Sequence, residues 1–448
     1  MRAAAWTCTR RLMSTSRELV PLLILGAGMS GLGAGIQARR AGIDSVILEA
    51  ETEVGGLCRS LTSRTGCDFD FGPKILILDD SDNSADLLSF LGNNCQKYLM
   101  QENVYLKQFG LIDFPIQRNL IDLPSDISKL VIKEVKHSTK HNVVRNYRDW
   151  LLMHYGEYLT NNVLLPYEEK KWQIDLDKLD YTWALSRPVS VSLSEMELGA
   201  KQKLSPNKHY YYPRNGNITT LTQSMAKKAG KILLNHKVEA IDTSRKIVFA
   251  GNKEFYYDRL ISTLPLDCML KITKDNDFDR IKKSASVLQQ LSIRIFHLVF
   301  EGNHSVKGTA IYFPEKNFIF RRVSVLQNLC PALARKGYTP ISVEVSLNND
   351  SKYISEESMQ KIVLKQLQSI KQFGKLGEPI ECIVQCIPYA YPLPTIGLKD
   401  FVKDAHDYYN KYQVYLCGRG GNYDYYNSDK AYKQGKEAVL SALQQKES

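Results

Sequence analysis

Between residues 22 and 49 the chain alternates short apolar runs with a glycine-rich turn and a helix-like stretch. The apolar run LLIL is followed by the turn GAGMSG at residues 26–31, and a helix-like run covers residues 34–41 before Gly42. A second apolar run then ends at Glu49. A strand, a glycine turn, a helix and a second strand in this order predict a βαβ unit.

Three later segments have patterns of their own. Between residues 81 and 204 apolar positions recur at helical spacing, most clearly at Val143, Val144, Tyr147, Trp150, Leu151, Tyr155, Leu159 and Val163. Between residues 287 and 391, short apolar runs predict strands at residues 293–300, 310–313, 319–325 and 341–345. Near the end, an apolar run from residue 414 enters a glycine turn, and a helix is predicted for residues 428–443.

These elements predict an α/β protein built on a Rossmann-type nucleotide-binding domain, with an inserted helical lobe and a sheet-rich substrate lobe. The nucleotide-binding domain is predicted to be discontinuous, comprising residues 19–80, 206–266 and 405–448. The helical lobe is predicted at residues 81–205, and the sheet-rich lobe at residues 267–404. Residues 1–18 are set apart as a targeting segment.

The glycine turn has the residue types that a dinucleotide pyrophosphate requires. Gly26 permits the tight turn, Gly28 lets the pyrophosphate approach the backbone, and Gly31 lets the helix pack closely on the strand. The amino terminus of the helix offers free N–H groups and the positive end of its dipole. Glu49 is expected to accept hydrogen bonds from ribose hydroxyls. Ser30 lies in the same turn and is a further predicted cofactor contact.

Composition bounds the class of protein. With 448 residues, 44% hydrophobic and 24% charged, the chain is long enough for two or three lobes and is typical of a globular protein. No apolar run approaches the roughly 18 residues that cross a bilayer, so no transmembrane segment is predicted. The nine cysteines are scattered, and neither a metal site nor a disulfide framework is predicted.

The first 18 residues contain four arginines, several Ser and Thr residues, and a single acid at the end. This pattern predicts a mitochondrial presequence, and the alternative is a disordered basic tail on a cytoplasmic protein. Removal of the segment lowers the net charge from +11 to about +8. That moderate charge favours an anionic small-molecule substrate, and no Lys/Arg-rich tract indicates nucleic acid.

The residues after Glu49 carry a more specific signal. The run from Val54 to Ser60, VGGLCRS, resembles the FAD fingerprint of the amine oxidase superfamily of flavoproteins, which have two dinucleotide-binding domains. The resemblance implies that Gly55 and Gly56 lie beside the flavin and that Arg59 lies near the cofactor. It also implies cofactor contacts from the FGP loop, from a backbone segment near the adenine and from the last glycine turn, at Gly72, Val238, Gly418 and Arg419.

Over nearly its whole length beyond the presequence, the chain also resembles eukaryotic UDP-galactopyranose mutases of the same superfamily. The similar elements are FPIQRNL at 114–120, LPYEEKKW at 165–172, WALSR at 183–187, YFPEKN at 312–317, YPLP at 391–394 and GRGG at 418–421. The resemblance implies a rearrangement of a nucleotide sugar without net oxidation, on reduced FAD. NADPH is the candidate reductant, and a homo-oligomer is a further expectation.

In that resemblance, Arg187 and Arg322 clamp the diphosphate of the substrate from two lobes. Arg321 is an alternative to Arg322, because a shift of one residue in a strand changes which side chain faces the cleft. The other implied substrate contacts are Phe114, Gln117, Trp172, Tyr312, Tyr391 and Tyr425.

Two positions depart from the mutase pattern. The mutases carry Gly-Gly-His where this chain has Gly72-Pro73-Lys74, so a cation replaces a near-neutral proton carrier, and we include Lys74 among the predicted catalytic residues. Glu168 replaces an asparagine and is therefore expected to bring a negative charge close to a ligand that is already anionic. Three functions therefore stay open: a mutase-like enzyme of a diphosphate ligand, an FAD oxidoreductase of the amine oxidase or protoporphyrinogen oxidase type, and a non-catalytic flavoprotein subunit of a mitochondrial assembly.

Overall fold

The computed structural model describes residues 18–78, 81–138, 143–185, 191–274, 284–304, 306–347 and 354–444. The predicted presequence, apart from its last residue, and the predicted diphosphate ligand Arg187 lie outside these described residues. Within them, no helix combines the length and the apolar character that crossing a membrane requires.

Strands and helices alternate along most of the chain. The strands are β1 Glu18–Leu25, β2 Ser45–Leu48, β3 Ser60–Thr62, β4 Asp68–Asp70, β5 Cys95–Leu99, β6 Glu102–Leu106, β7 Gly110–Asp113, β8 His209–Pro213, β9 Lys231–Leu233, β10 Val238–Asp242, β11 Ile247–Ala250, β12 Lys253–Ser262, β13 Gln290–Glu301, β14 Ala310–Tyr312, β15 Arg322–Val325, β16 Tyr338–Leu347, β17 Glu381–Pro392 and β18 Val414–Leu416. The helices are α1 Met29–Arg40, α2 Asp82–Leu91, α3 Ser125–Ser138, α4 Tyr147–Leu159, α5 Leu165–Trp172, α6 Thr182–Leu185, α7 Leu193–Lys201, α8 Thr219–Ala226, α9 Leu266–Ile272, α10 Leu326–Leu329, α11 Glu356–Gln368, α12 Leu398–Lys411, α13 Gly418–Gly421 and α14 Ser428–Gln444.

The first sheet has seven strands, and β1 lies inside it between two parallel neighbours. The order is β10–β11–β12–β1–β2–β9, and β18 also pairs with β12. Leu23, Ile24 and Leu25 of β1 are fully buried. A strand with both faces covered needs apolar side chains on both, which explains its continuous apolar run. The predicted βαβ unit and the α/β class are confirmed.

The second sheet also has seven strands, in the order β17–β13–β16–β15–β14–β6–β7. Neighbouring strands are antiparallel except for β14 and β6. β6 and β7 belong to a stretch for which the sequence predicted helix, and that prediction is wrong there. In β6, Val104 and Leu106 join one hydrophobic cluster and Tyr105 joins another. Because both faces are buried, the alternation that marks a strand is missing from the sequence.

The helical lobe consists of α3 to α7, between residues 125 and 201. The predicted apolar stripe is buried on α4, where Trp150, Leu151 and Tyr155 are all at most 5% exposed. Val143 is 74% exposed because it precedes the helix. Gly156 interrupts α4 with φ of 74°, and a Cβ at this position would meet the side chain of Glu134 on α3.

Two helices of the nucleotide-binding domain, α1 and α14, contact each other through their backbones beside the glycine turn. A Cβ on Gly435 would lie 1.9 Å from the carbonyl oxygen of Ser30. A Cβ on Gly33 would lie 2.6 Å from the carbonyl oxygen of Tyr432. The close packing of these two helices therefore depends on glycine in both of them.

We expect Gly435→Ala to destabilise the protein by about 3 kcal/mol, because the added methyl group overlaps the Ser30 carbonyl group and a helix must move. Gly377→Ala is the matched control, since a Cβ there meets no atom within 4 Å. Urea unfolding of the two variants measures the difference. Equal stability would show that the helices are not held at this distance.

Candidate active-site cleft

A cleft of about 530 Å³ contains residues of the glycine turn, the second sheet and the helical lobe in its wall. The wall runs from Gly28 and Ser30 past Lys74 to Arg322 and Tyr425. Residues predicted for the cofactor and residues predicted for the substrate therefore share one cavity. Within the part of the chain that the structure describes, no three His, Cys, Asp or Glu side chains are grouped so as to hold a metal ion.

The glycine turn after β1 has the geometry that the sequence predicted. Gly26 has φ of 91°, which favours glycine, and its N–H donates to the Leu48 carbonyl oxygen at 2.8 Å. A Cβ on Gly31 would lie 1.8 Å from the Gly26 carbonyl oxygen, so the helix can start this close to the strand only with glycine. A Cβ on Gly28 would meet only Gly56, at 4.0 Å, and otherwise open space.

The first turn of α1 is free to bind an anion. Gly28 is its N-cap residue and supplies no capping side chain, and no acidic residue lies in the first turn. The first N–H groups of such a helix lack partners within it, and the helix dipole adds positive potential. With space in front of Gly28, these residues fit the pyrophosphate of a dinucleotide cofactor.

Glu49 has a role that the sequence did not predict. Its Oε2 accepts a hydrogen bond from the backbone N–H of Ala27 at 2.6 Å, and its Oε1 accepts one from Glu51 at 3.0 Å. The carboxylate therefore holds the glycine turn in place. Each oxygen has a second lone pair, so its predicted contact with ribose hydroxyls stays a prediction.

The loop before β10 reaches the end of β2, where His236 N–H donates to the Glu49 carbonyl oxygen at 2.7 Å. Val238 follows as the first residue of β10 and does not line the cleft. Its predicted backbone contact with the adenine stays a prediction.

The VGG turn lies against the first glycine turn. Gly55 and Gly56 have φ of 113° and 55°, and Gly55 N–H donates to the Ala27 carbonyl oxygen at 2.8 Å. Arg59 Nε donates to the Gly56 carbonyl oxygen at 2.9 Å, and its guanidinium lies 5.1 Å from the centre of the Phe71 ring. Arg59 thus holds the turn together as well as lying near the cleft.

The last glycine turn closes the same end of the cleft. Gly418 has φ of 76°, and a Cβ there would lie 2.3 Å from Ser30 Oγ. Arg419 follows on the cleft wall, and its guanidinium donates to the carbonyl oxygens of Ala390, at 3.1 Å, and of Tyr426. Three turns distant in sequence therefore meet at the start of α1.

The loop after β4 contains Gly72 and brings Lys74 to the wall of the cleft. Gly72 has φ of 76°, and a Cβ on it would lie 3.5 Å from Glu344 Oε1. Lys74 lines the cavity. Burial lowers the pKa of Lys74, and the like charges of Arg419 and Arg322 act in the same direction.

Arg321 and Arg322 both bind the carboxylate of Glu344, which is completely buried. Arg322 donates to Oε1 through Nε at 3.0 Å and also through Nη2, and Arg321 Nη2 donates to Oε2 at 2.5 Å. Burial opposes ionisation of Glu344, but the charges of Arg322 and Arg321 outweigh it, and the pKa stays below its usual range. The sequence treated the two arginines as alternatives, whereas both line the cleft and share one partner.

Phe114 and Tyr312 meet on the wall of the cleft, with ring centres 4.6 Å apart. The Tyr312 hydroxyl donates to Glu102 Oε1 at 2.7 Å, so it is already used within the protein. Burial raises the pKa of Glu102. The predicted pair of aromatic contacts is thus brought together, with an acid that the sequence did not indicate.

Tyr391 and Tyr425 stack face to face, with ring centres 5.0 Å apart and an angle of 8° between the rings. The guanidinium of Arg419 lies 5.3 Å and 5.6 Å from these two ring centres, and that of Arg321 lies 5.5 Å from Tyr391. Such cation–π contacts stabilise the positions of the two arginines. Both tyrosines line the cleft, as the sequence predicted.

Two predicted substrate contacts are not accessible from the cleft. Trp172 is completely buried, and its indole N–H donates to Glu168 Oε2 at 2.7 Å. Gln117 is 4% exposed, and its side-chain oxygen has no hydrogen-bond partner. Neither residue lines the cavity. Surrounding residues cover both side chains in this structure, and their contact with a ligand stays a prediction.

Glu168 was expected to bring an uncompensated negative charge to the ligand, and the structure corrects that expectation. Lys171 Nζ lies 3.0 Å from Glu168 Oε2 and 4.5 Å from the centre of the Trp172 ring. Trp183 and Tyr425 are further aromatic neighbours of this lysine. Glu168 and Lys171 therefore form a nearly neutral pair on the cleft wall.

Sequence reasoning missed Glu344, Glu102 and Lys171. Glu344 did have a recognisable signal, since it is the single acid within the apolar strand ISVEVSL. A charged residue inside a buried strand needs a partner of opposite charge, and Arg321 and Arg322 are the basic residues at the start of the preceding strand. Glu102 and Lys171 lie in mixed segments that give no comparable signal.

A buried histidine lies on the second sheet, outside the wall of the cleft. His297 is completely buried on β13, and its ring lies 4.8 Å from the Phe69 ring. Its two nitrogens are paired with Ser342 Oγ at 2.9 Å and Gln385 Oε1 at 3.2 Å. Burial lowers the pKa of His297 to about 4.

The chain is similar to flavin-dependent proteins with different activities. Residues 29–440 match the family described as flavin containing amine oxidoreductase. A 4,4'-diapophytoene desaturase of Staphylococcus aureus is 28% identical over 124 residues, which are 27% of this chain and 23% of that protein. The chain spans less than a quarter of the length of the curated relatives that it matches.

Two solved structures share the fold over nearly the whole chain. Reduced UDP-galactopyranose mutase has a TM-score of 0.87 and 22% identity, over 95% of this chain and 94% of that chain. A protein from Exiguobacterium, provisionally described as a protoporphyrinogen oxidase, has a TM-score of 0.73 and 18% identity, over 96% and 100%. Identities this low establish the fold alone.

We expect Gly28→Ala to fold normally and to lose its flavin. The added methyl group has room in the protein, because its nearest neighbour would be 4.0 Å away, but it points into the space in front of α1. The visible absorption of the purified variant measures bound flavin, and thermal unfolding in the absence of added flavin checks the fold. A full complement of flavin would exclude this turn as the cofactor site.

We expect His297 to lower the stability of the protein as the pH falls from about 6.5 to 4. The folded state keeps His297 neutral to a pKa of about 4, whereas the unfolded chain takes up a proton near 6.5. This group alone therefore favours the unfolded state by up to about 3 kcal/mol across the interval, while the raised pKa of Asp70 acts in the opposite direction, so the variant must be compared with the native protein. Urea unfolding at several pH values should show a shallower dependence for His297→Gln, and the exposed His137→Gln serves as the control. If the native protein and His297→Gln show the same dependence of stability on pH, the assignment of this dependence to His297 is contradicted.

Proposed function

Because the chain belongs to the flavin-containing amine oxidoreductase family, we propose that it is an FAD enzyme acting on an anionic small molecule that carries a diphosphate, such as a nucleotide sugar. The observation that carries this proposal is the charge of the cleft wall. Its cationic side chains are Lys74, Arg118, Lys171, Lys208, Arg321, Arg322 and Arg419, and its acidic side chains are Glu102, Glu168 and Glu195. An excess of positive charge attracts and retains anions.

Arg321 and Arg322 are the proposed ligands of the diphosphate. Glu344 binds both guanidinium groups from the protein interior, so their orientation is set before the ligand arrives. Two guanidinium groups on one carboxylate leave a net positive charge for the ligand. Arg322 keeps 17% of its side chain exposed and Arg321 only 3%, which supports Arg322 as the principal contact.

Aromatic side chains are proposed to bind the uncharged parts of the ligand. Phe114 and Tyr312 form one pair of rings on the cleft wall, and Tyr391 and Tyr425 form a second, stacked pair. Because Glu102 accepts the hydrogen bond of the Tyr312 hydroxyl, this tyrosine is proposed to contact the ligand through its ring. Ring faces of this kind suit a nucleobase or a sugar.

The reaction proposed first is a rearrangement of the sugar, as in the mutases that the chain resembles. Bound flavin supplies the electron-rich or electron-accepting centre, and the chain supplies binding, orientation and charge. The fold likeness to reduced UDP-galactopyranose mutase supports this choice. NADPH as the reductant, a homo-oligomeric assembly and a mitochondrial location are further proposals. A non-catalytic subunit is not proposed, since the family is one of flavoenzymes.

The second candidate is an FAD oxidoreductase that dehydrogenates its substrate. Local sequence similarity to desaturases supports it. An uncharged substrate would gain nothing from Arg321 and Arg322 on the cleft wall, and desolvation of these groups would oppose its binding. The rearrangement of an anionic ligand is therefore preferred.

We expect Arg322→Ala to weaken the binding of UDP and UDP-galactose at least tenfold, or about 1.4 kcal/mol, because a charge-assisted contact to the diphosphate is lost. The flavin released from the purified protein is identified first. The absorption of the bound flavin is then followed while UDP or UDP-galactose is added in the absence of oxygen. Isomerised sugar after incubation of the reduced enzyme with UDP-galactose would support the mutase-type reaction.

Arg245→Ala is the matched control, because Arg245 is 67% exposed and lies outside the cleft. Arg322→Lys should give an intermediate loss, since it keeps the charge without the planar fork. Unchanged binding in Arg322→Ala would remove this residue from the ligand site. Absence of UDP binding by the native protein, together with flavin reoxidation coupled to an uncharged substrate, would support the oxidoreductase instead.

A further inference from the structure

Lys74 is a cation on the cleft wall whose side chain has no hydrogen bond or ion pair among the described residues. The other cations at this end of the cleft are held. Glu344 binds Arg321 and Arg322. Arg419 donates to backbone carbonyl oxygens. Among the residues that the structure describes, Lys74 therefore differs from its neighbours in having no hydrogen-bonded or ion-paired partner for its ammonium group.

Two buried acids near Lys74 do not neutralise it. Glu344 is already shared by two guanidinium groups. Asp70 accepts hydrogen bonds from Ser60 Oγ at 2.7 Å and from the Tyr212 hydroxyl at 2.8 Å, and burial raises its pKa to about 6. The inner end of the cleft therefore carries the cationic side chains of Lys74, Arg321, Arg322 and Arg419 against the acids Glu344 and Asp70, and Lys74 adds to this excess of positive charge.

Burial of an ammonium group without a counter-ion is unfavourable. Accordingly burial lowers the pKa of Lys74, Arg419 and Arg322 lower it further, and Cys58 and Glu344 act in the opposite direction. An anion placed beside Lys74 would reverse this effect. The cavity has room for one, because Lys74 lines it directly.

The position of Lys74 associates it with the cofactor elements. Its loop is tied to the VGG turn, since Phe71 N–H donates to the Arg59 carbonyl oxygen at 3.1 Å. Gly55 and Cys58 of that turn line the same cavity as Lys74. A cofactor bound at this turn would therefore share the cavity with Lys74, and a flavin becomes anionic when two-electron reduction adds only one proton to its ring.

We propose that Lys74 supplies the positive charge that stabilises the anionic reduced flavin, and thereby makes the reduced state of this enzyme more favourable. The inference rests on membership of the flavoenzyme family and does not depend on the nucleotide ligand proposed above. It gives a physical role to Lys74, which stands where the mutase pattern has a histidine. A rearrangement without net oxidation requires reduced flavin, so a chain that holds this state firmly is suited to it.

The test is the midpoint potential of the flavin, measured by anaerobic reductive titration with a reference dye and no nucleotide. Lys74→Met removes the charge while keeping the length of the side chain. In this variant the equilibrium constant for reduction of the flavin should fall at least tenfold. The midpoint potential should therefore become about 30 mV more negative for a two-electron couple. Lys74→Arg, which keeps the positive charge, should have a midpoint potential close to that of the native protein. The pH at which the reduced flavin takes up its second ring proton should also rise in Lys74→Met.

Lys361→Met is the control, because Lys361 is 73% exposed and lies on α11, outside the cleft. If Lys74→Met loses flavin during purification, Lys74→Gln provides the neutral variant. Equal potentials for the native and neutral variants would overturn the proposal, and so would a loss in Lys74→Arg as large as in Lys74→Met. These outcomes are independent of UDP binding, so a negative result for Lys74 does not contradict the proposed nucleotide ligand.

Discussion

The buried carboxylate of Glu344 is the constraint around which the inner end of the cleft is arranged. It lies on β16 without solvent contact, binds two guanidinium groups and reaches the position of Gly72 in the loop after β4. Removal of one partner from a buried ion pair typically costs about 3–5 kcal/mol, whereas replacement of a whole cluster by apolar groups is often neutral or stabilising. We therefore interpret this cluster as a means of placing charge at the cleft rather than as a source of stability.

Close backbone contact is the second requirement, and it explains how cofactor elements from distant parts of the chain meet at one helix terminus. The approach of Gly31 to Gly26, of Gly418 to Ser30 and of Gly435 to the Ser30 carbonyl group all exclude a Cβ. Together they leave the first turn of α1 uncovered and facing the cleft. The same turn is held by Glu49, whose carboxylate binds its backbone. A glycine pattern and one acid thus shape the turn that is expected to bind the phosphates of the cofactor.

In this family a shared fold does not determine which reaction a protein catalyses. Structures from a mutase and from an oxidase-like protein both cover nearly the whole chain, at 22% and 18% identity. In this chain the wall of the cleft carries Lys74 after Gly72-Pro73, and Glu168 there is paired with Lys171. Such side chains decide which charges a ligand or a cofactor can carry, and the fold does not.

Elements that depend on neighbouring residues could be predicted from the sequence. The turn from Gly26 to Gly31, the strand β1 and the helix α14 follow from glycine positions and apolar periodicity, which are local properties. The folded structure was needed to show that Trp172 and Gln117 are covered, that residues 102–106 and 110–113 are strands, and that Arg321 and Arg322 share Glu344. Burial and ion pairing depend on which distant segments meet, and no local pattern specifies that meeting.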